Sequence, residues 1–466
     1  MKVVLATVLA ISAGLVNAQC ISKDDSLIPP PRTSLSHVTP FSISLFKEVL
    51  PPSDNFFFSP YSIWTALVYA YFGSNGSTKT QLERVLQLGN REETLALHKS
   101  VDQLYRLQEN NPNYTINAAN RIYVQDGLPL KQCLHVVFSQ EMKSVDFRQQ
   151  PGAAARVINQ FVNETTRGKI PGIVSANSVS GAMMILVNAV YFKGLWEHQF
   201  KLENTAQERF FVAPNSHSMV PMMSQKDKFR YGESKELDAQ VLEMAYKGGA
   251  ASMIVLLPRD QNTGQELDEL VQRLSPSTLT SALRSLSVET VELKFPKFKF
   301  EKKIAAPLQQ ALVGMGISDL FSDRADLTNF MPDGGLRATE IIHKAVVEVD
   351  EEGAEAAAVT TSVIGITGDG GLGPKERESG PIHSSGNGGI GPKERENGPV
   401  HFPLRRLHSI PQEHVPLRRS GCMILDNFFA GTGHPGKEIQ QQPGATGGRR
   451  GYRKQEITGH EDMPAS

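Results

Sequence analysis

Apolar residues recur at helical spacing near the start of the chain and as runs of strand length further on. Phe41, Leu45, Phe46 and Val49 fall on one face of a helix. Asn55-Phe-Phe-Phe58 predicts a short buried strand. Ser59-Pro60 predicts a helix start, with serine as the cap and proline in the first turn. Ile63, Leu67 and Ala70 carry that helix to a stop at Gly73, and a second amphipathic helix is expected from Thr78 to Leu88, closed by Gly89. Ala118 to Val124 and Ile185 to Phe192 are continuous apolar runs broken by single polar residues, the pattern of strands buried on both faces. Further strands are expected at Leu242 to Tyr246, Ser252 to Leu257 and Val291 to Phe300. Because the two patterns alternate from residue 37 to 367 without a long linker, that span predicts one α+β domain.

The stretch from His343 to Ser362 begins as a strand and continues in small residues. From Ala354 onward the alternate positions Ala354, Ala356, Ala358, Thr360, Ser362 and Ile364 are all small or apolar, as burial beneath a sheet requires. The other set, from Glu355 through Ala357 to Val363, holds the one charge after Glu352 and would leave it facing solvent. An alanine-rich run taken alone favours a helix. Here it follows the β-branched run Ala345-Val-Val-Glu-Val349, so nothing in the pattern resists its insertion as a strand.

Four further segments stand in the chain in a telling order: Asn55-Phe-Phe-Phe-Ser-Pro-Tyr-Ser-Ile63, Leu186-Val-Asn-Ala-Val-Tyr-Phe-Lys-Gly-Leu-Trp-Glu197, Phe295-Pro-Lys-Phe298 and Gly316-Ile-Ser-Asp-Leu-Phe321. Together with Glu351-Glu352-Gly353-Ala354-Glu355-Ala356-Ala357-Ala358 the chain resembles a serpin, the last segment resembling the hinge of an inhibitory reactive loop. The resemblance implies an α+β fold of three β-sheets and about nine helices, with a reactive loop over residues 348–367 exposed as protease bait. A target serine attacks that loop and forms an acyl-enzyme, and insertion of the cleaved loop as a new strand then distorts the protease. The drive comes from a kinetically trapped native state whose loop and sheet can still gain hydrogen bonds and burial. By the same resemblance Ser59, Ser62, Asn188 and His343 form a hydrogen-bonded shutter under the sheet centre. Trp196, Lys297 and Glu351 stand at the breach where the loop first inserts, an ion pair between the last two holding it shut. The alternative for these polar residues is an ordinary satisfied core.

Composition narrows the setting. The 466 residues are 40% hydrophobic, enough for a substantial core, and the formal net charge of −1 argues for neither nucleic acid nor an anionic membrane as partner. Residues 1–18 carry one lysine, a short apolar run and a Val-Asn-Ala end, predicting a secretory signal peptide cleaved after Ala18; the run is too short for a membrane anchor. Residues 19–36 form an N-terminal segment. Sequons at Asn75, Asn113 and Asn163 suit a secreted, glycosylated product. Cys20, Cys133 and Cys422 are odd in number and widely spaced, so no disulfide framework follows; Cys20 is either a free thiol or a cross-link to another chain. Neither a Gly-x-Ser-x-Gly elbow, a His-Glu-x-x-His nor a Cys-x-x-Cys occurs, so the reading is not an enzyme, with no cofactor and no metal. Gly431-Thr-Gly-His-Pro-Gly-Lys437 has phosphate-loop spacing, but Glu438 replaces the magnesium-binding hydroxyl and Pro435 interrupts the backbone donors. Lys79 and Arg84 lie on the helix that binds glycosaminoglycan in some serpins, and Glu83 between them argues for a solvated face instead. The expected partner is a serine protease met by a monomer.

Beyond the hinge the chain departs from the family. Counting as the family does, fifteen residues from Gly353 inclusive, the bait residue is Thr367 and the scissile bond precedes Gly368. Residues 368–402 are then Gly/Pro-rich and hold a tandem repeat, Gly370 to His383 echoed by Gly388 to His401, too short and too polar for a solenoid. It offers Lys375 and Arg377, and again Lys393 and Arg395, to a trypsin-like protease, at positions where a slack tether favours substrate behaviour; the first pair, nearest the hinge, is the alternative bait if Thr367 is not. Residues 403–466 are diverged and expected to be largely disordered: Val400-His-Phe402 resembles the approach to a family strand and Arg419 to Leu425 with Phe428 to Gly431 faintly resembles the last one, but the Pro-broken basic run from Pro403 to Arg418 cannot be a central strand. The leading reading is a secreted suicide-substrate inhibitor of serine proteases. Competing with it are a non-inhibitory carrier or storage serpin, and a product whose altered end leaves it poorly folded.

Overall fold

Ser59 and Pro60 start a helix as their chemistry dictates. The Ser59 side chain accepts from the amide of Ser62 at 3.3 Å, and proline at the first position loses no hydrogen bond the helix needs. In the computed structural model, residues 38–51, 55–108, 113–131, 138–213, 216–249, 251–259, 266–353, 400–403 and 423–428 are described. The expected signal peptide, the loop from Ala354 to Gly368 and on to residue 399, and all three cysteines lie outside them.

Nine α-helices occur among the described residues. They are α1 (Thr39–Val49), α2 (Pro60–Gly73), α3 (Gly76–Leu86), α4 (Arg91–Gln108), α5 (Pro151–Thr165), α6 (Ala176–Val179), α7 (Glu266–Arg273), α8 (Pro276–Arg284) and α9 (Ala306–Met315). A five-stranded sheet is built from β1 (Tyr114–Gln125), β2 (Met142–Val145), β3 (Met184–Gly194), β9 (Phe298–Ile304) and β10 (Glu340–Val349), in the order β2-β1-β3-β10-β9. The second sheet holds β4 (Thr205–Ala213), β5 (Ser216–Ser234), β6 (Ala239–Ala245), β7 (Ala251–Pro258), β8 (Ser287–Pro296), β11 (Val400–Pro403) and β12 (Met423–Phe428). Where the resemblance implies three sheets, the described strands make two, because the 19-residue β5 pairs with β4, β8 and β6 along its length and joins two ladders into one.

Both faces of the five-stranded sheet are covered, and all eleven positions of β3 are buried in consequence. On one face α5 packs Ile158 and Val162 on Ile185, Val187, Ile342 and Val346. On the other, α1, α2, α3 and α9 pack against Ile122, Leu186 and Ile341, while Phe192, Val347 and Val349 meet the second sheet. α7 and α8 cover β6 and β7 through Leu270, Val271 and Ala282.

Several expectations are corrected. Among the described residues Asn55 to Phe58 pairs with no strand, and it is half-buried; Phe58 stacks on Phe46 at 6.2 Å, so ring packing rather than a ladder explains its apolar character. α3 ends at Leu86, and Gln87 supplies the left-handed cap (φ 54°) in place of Gly89. The run Val291 to Phe300 is two strands in different sheets, broken at Lys297, whose amide bonds the Pro221 carbonyl at 2.9 Å. The second sheet also draws β11 and β12 from beyond residue 367, so the diverged segment 403–466 contributes a strand: Met423 to Phe428 runs antiparallel to β7.

Candidate functional site

β3 and β10 run parallel and side by side, in register from Ile185 with Glu340 to Phe192 with Val347. Alternation then decides which side chains share a face. Asn188, His343 and Glu351 point towards α2 and the second sheet; Tyr191, Lys193, Glu348 and Asp350 lie on the α5 face.

The four shutter residues meet. His343 Nε2 accepts the Ser59 amide at 3.0 Å, Ser59 Oγ donates to Ser62 Oγ at 3.3 Å, and Asn188 Nδ2 donates to the Ser62 carbonyl at 3.1 Å. Asn188 also reaches Asn120 Oδ1 at 3.3 Å, so a polar row Asn120, Asn188, His343 crosses β1, β3 and β10 in register. Asn120 escaped the sequence reading; a lone amide inside Ala118-Ala-Asn-Arg-Ile was the available signal. Accepting at Nε2 fixes the neutral Nδ1–H tautomer, and full burial brings the His343 pKa down to about 3. The group held under the seam between the two strands is therefore a neutral imidazole.

The breach residues meet as well. Lys297 Nζ lies 2.7 Å from Glu351 Oε2, and the Thr205 hydroxyl donates to Glu351 Oε1 at 2.8 Å. Burial pulls the Glu351 carboxyl upward, and the Lys297 ammonium followed by backbone and Thr205 donors outweighs it, so the net shift is downward. Trp196 stacks on Tyr246 at 4.7 Å, donates its indole N–H to the Asp350 carbonyl at 3.0 Å and its amide to the Glu352 carbonyl at 3.0 Å. The Phe200 amide bonds the Glu351 carbonyl at 2.9 Å. Gly353 then turns with φ +89°, and a Cβ there would collide with the Gly194 carbonyl and the Trp196 amide. Only glycine fits that turn. Thr205 was not legible, since its partner lies 146 residues away.

The remaining candidates are scattered. Asn75, Asn113 and Asn163 are half-buried, at the start of α3, ahead of β1 and on α5. Lys79 pairs with Glu83 at 2.8 Å. Glu352 and Gly353 are the last described hinge residues; Ala354 to Ala358, Thr367, Gly368, Lys375 and Arg377 fall outside. Among the described residues no cluster of histidine, cysteine and carboxylate side chains is arranged to hold a metal, and no helix is long and apolar enough to cross a membrane.

Comparison with known proteins gives one answer. A family model described as serpin (serine protease inhibitor) matches residues 36–377. The chain is 36% identical to Ipis-1 of Ixodes persulcatus, over 69% of this chain and 86% of that one. It is 35% identical to leukocyte elastase inhibitor of Bos taurus, over 70% and 88%. Among solved structures it is similar to uncleaved ovalbumin, with a TM-score of 0.63, 29% identity, and coverage of 69% of this chain and 91% of that one. With the shutter and breach assembled on a five-stranded sheet, and with a family match across most of its length, the chain belongs to the serpin family.

Proposed function

We propose that the protein is a secreted inhibitor of serine-type endopeptidases, consumed as a suicide substrate. The observation that carries this reading is the seam itself: β3 and β10 lie adjacent and latched, and the chain leaves β10 into small residues at alternate positions that a new strand between them would bury. The protease serine attacks the carbonyl of the bait residue, the amide nitrogen leaves with a proton, and an ester joins the two proteins. Insertion of the freed loop along the seam before water reaches that ester traps the protease. The names of relatives such as leukocyte elastase inhibitor and antitrypsin support a serine protease as target. Secretion rests on the signal-peptide pattern of residues 1–18 and the three sequons.

The test is incubation of the purified full chain with trypsin, chymotrypsin and elastase, followed by denaturing electrophoresis. A band of summed mass that survives boiling in detergent is expected with at least one of them, and the released peptide maps the bait residue. Loop cleavage without such a band for all three overturns the inhibitory reading in favour of a non-inhibitory serpin.

A further inference from the structure

Opening the seam means separating β3 from β10, and the groups that resist are those that span the two strands. The Lys297–Glu351 pair is not one of them: Lys297 stands at the start of β9, on the side of β10 away from β3. Lys193, near the end of β3, does span it. Its side chain is 6% exposed, and its Nζ lies 3.1 Å from Asp350 Oδ2 and 3.7 Å from Glu348 Oε2, both carboxylates being on β10 or the residues just after it. Among the described residues these are the ion pairs that join β3 to β10. The Tyr191 hydroxyl adds a donor across the seam, to Glu348 Oε2 at 3.3 Å.

The location matters as much as the distance. The paired backbone of β3 and β10 ends at Phe192 and Val347, so Lys193 takes over where the ladder stops. An ammonium so withdrawn from water is costly unless compensated, and the two carboxylates that compensate it both belong to the strand that must leave. Glu348 has a second partner on its own side, Lys299 of β9 at 2.5 Å, and keeps it when the strands part. Separation therefore strands Lys193 while leaving Glu348 satisfied, so within this ion cluster the cost of opening falls on Lys193, in addition to the Trp196 bonds to Asp350 and Glu352.

We infer that Lys193 is a seam latch, a positioning residue whose pairing with Glu348 and Asp350 sets the rate at which the loop is admitted between β3 and β10. This rests on the insertion mechanism proposed above, and it assigns to the α5 face of the sheet a control distinct from the Glu351 cluster on the opposite face.

The test uses the full chain and a labelled peptide of the sequence Ala354 to Ile364, whose annealing between the strands needs no protease. Circular dichroism first confirms that each variant is folded. Lys193→Met is expected to accelerate annealing about tenfold, the equivalent of a pairing of roughly 1.4 kcal/mol. Lys193→Arg keeps the wild-type rate, and Lys193→Met adds little to a chain already carrying Glu348→Gln and Asp350→Asn. Equal rates in the wild type and Lys193→Met, with peptide annealing in both, overturn the latch alone. No annealing in any of these chains overturns the latch and the insertion mechanism together.

Discussion

Two single residues at the seam carry consequences that can be measured directly. His343 is neutral in the fold, with its pKa brought down to about 3, whereas in the unfolded chain it takes a proton near the ordinary value of 6.5. The unfolded state therefore binds more protons between those values. The stability contribution is fully present above about pH 6.5 and is lost as pH falls towards 3, at about 1.36 kcal/mol per pH unit. From pH 6.5 to 5 the wild type is expected to lose about 2 kcal/mol on this account. His343→Gln should be less stable at pH 7.5 yet show a flatter decline over that window, read from urea midpoints; identical slopes would remove His343 as the cause. Gly353 makes the second case. Its φ of +89° and the backbone of Gly194 and Trp196 against it leave no room for a methyl group. Gly353→Ala should lower stability by about 2 kcal/mol or more and disturb the Trp196 environment, visible as a shift in fluorescence.

At the scale of elements, β3 and β10 themselves were the strands most legible in the sequence, while their pairing came only with the structure. β3 announced itself as an apolar run and β10 as a β-branched one, because strands buried on both faces leave no polar periodicity to confuse with a helix. Local chemistry also placed both ends of α2. Where the sequence misled, tertiary context had overridden a local signal. Val291 to Phe300 looks continuous, but Lys297 is where the chain changes sheets. Phe56 and Phe58 read as strand because apolar aromatics report burial, not pairing. Lys193 drew no reading of its own from the sequence, since Glu348 and Asp350, which pair with it, arrive from far along the chain. The family resemblance singled out Ser59, Ser62, Asn188, His343 and the Lys297–Glu351 pair, and the structure places Asn120 and Thr205 beside them. Insertion next to β3 demands small inward positions, so Ala356→Arg should block it: an arginine charge forced beneath the sheet without a partner costs at least several kcal/mol. Cleavage of the loop should continue while the detergent-stable complex falls more than tenfold. Undiminished complex with Ala356→Arg would mean that Ala356 does not face inward.

For the whole molecule the deciding quantity is the length of chain between the seam and the ester. β3 is 11 residues long, so the slot beside it spans about 36 Å and takes up the hinge from Ala354 to about Ile364. If the ester forms at Thr367, almost no slack remains and insertion pulls the protease hard against the far end of the sheet. If it forms at Arg377, the residues after Ile364 can extend by roughly 40 Å, and at Arg395 by roughly 100 Å. On the insertion reading proposed above, a protease on such a tether is carried along undeformed and completes hydrolysis, so cutting after Lys375, Arg377, Lys393 or Arg395 is expected to give substrate behaviour rather than a complex. Two chains separate tether length from every other cause. In one, all four basic residues become glutamine; in the other, Thr367→Arg is added to that set. Trypsin should leave the first largely uncut in the loop. It should be trapped by the second as a detergent-stable complex, with far fewer inhibitor molecules consumed per trypsin than for the wild type. Cleavage of the second chain after position 367 without complex would show that a short tether does not suffice, and would place the fault in the diverged segment after residue 403, whose strand β12 must hold the second sheet firm while the first one opens.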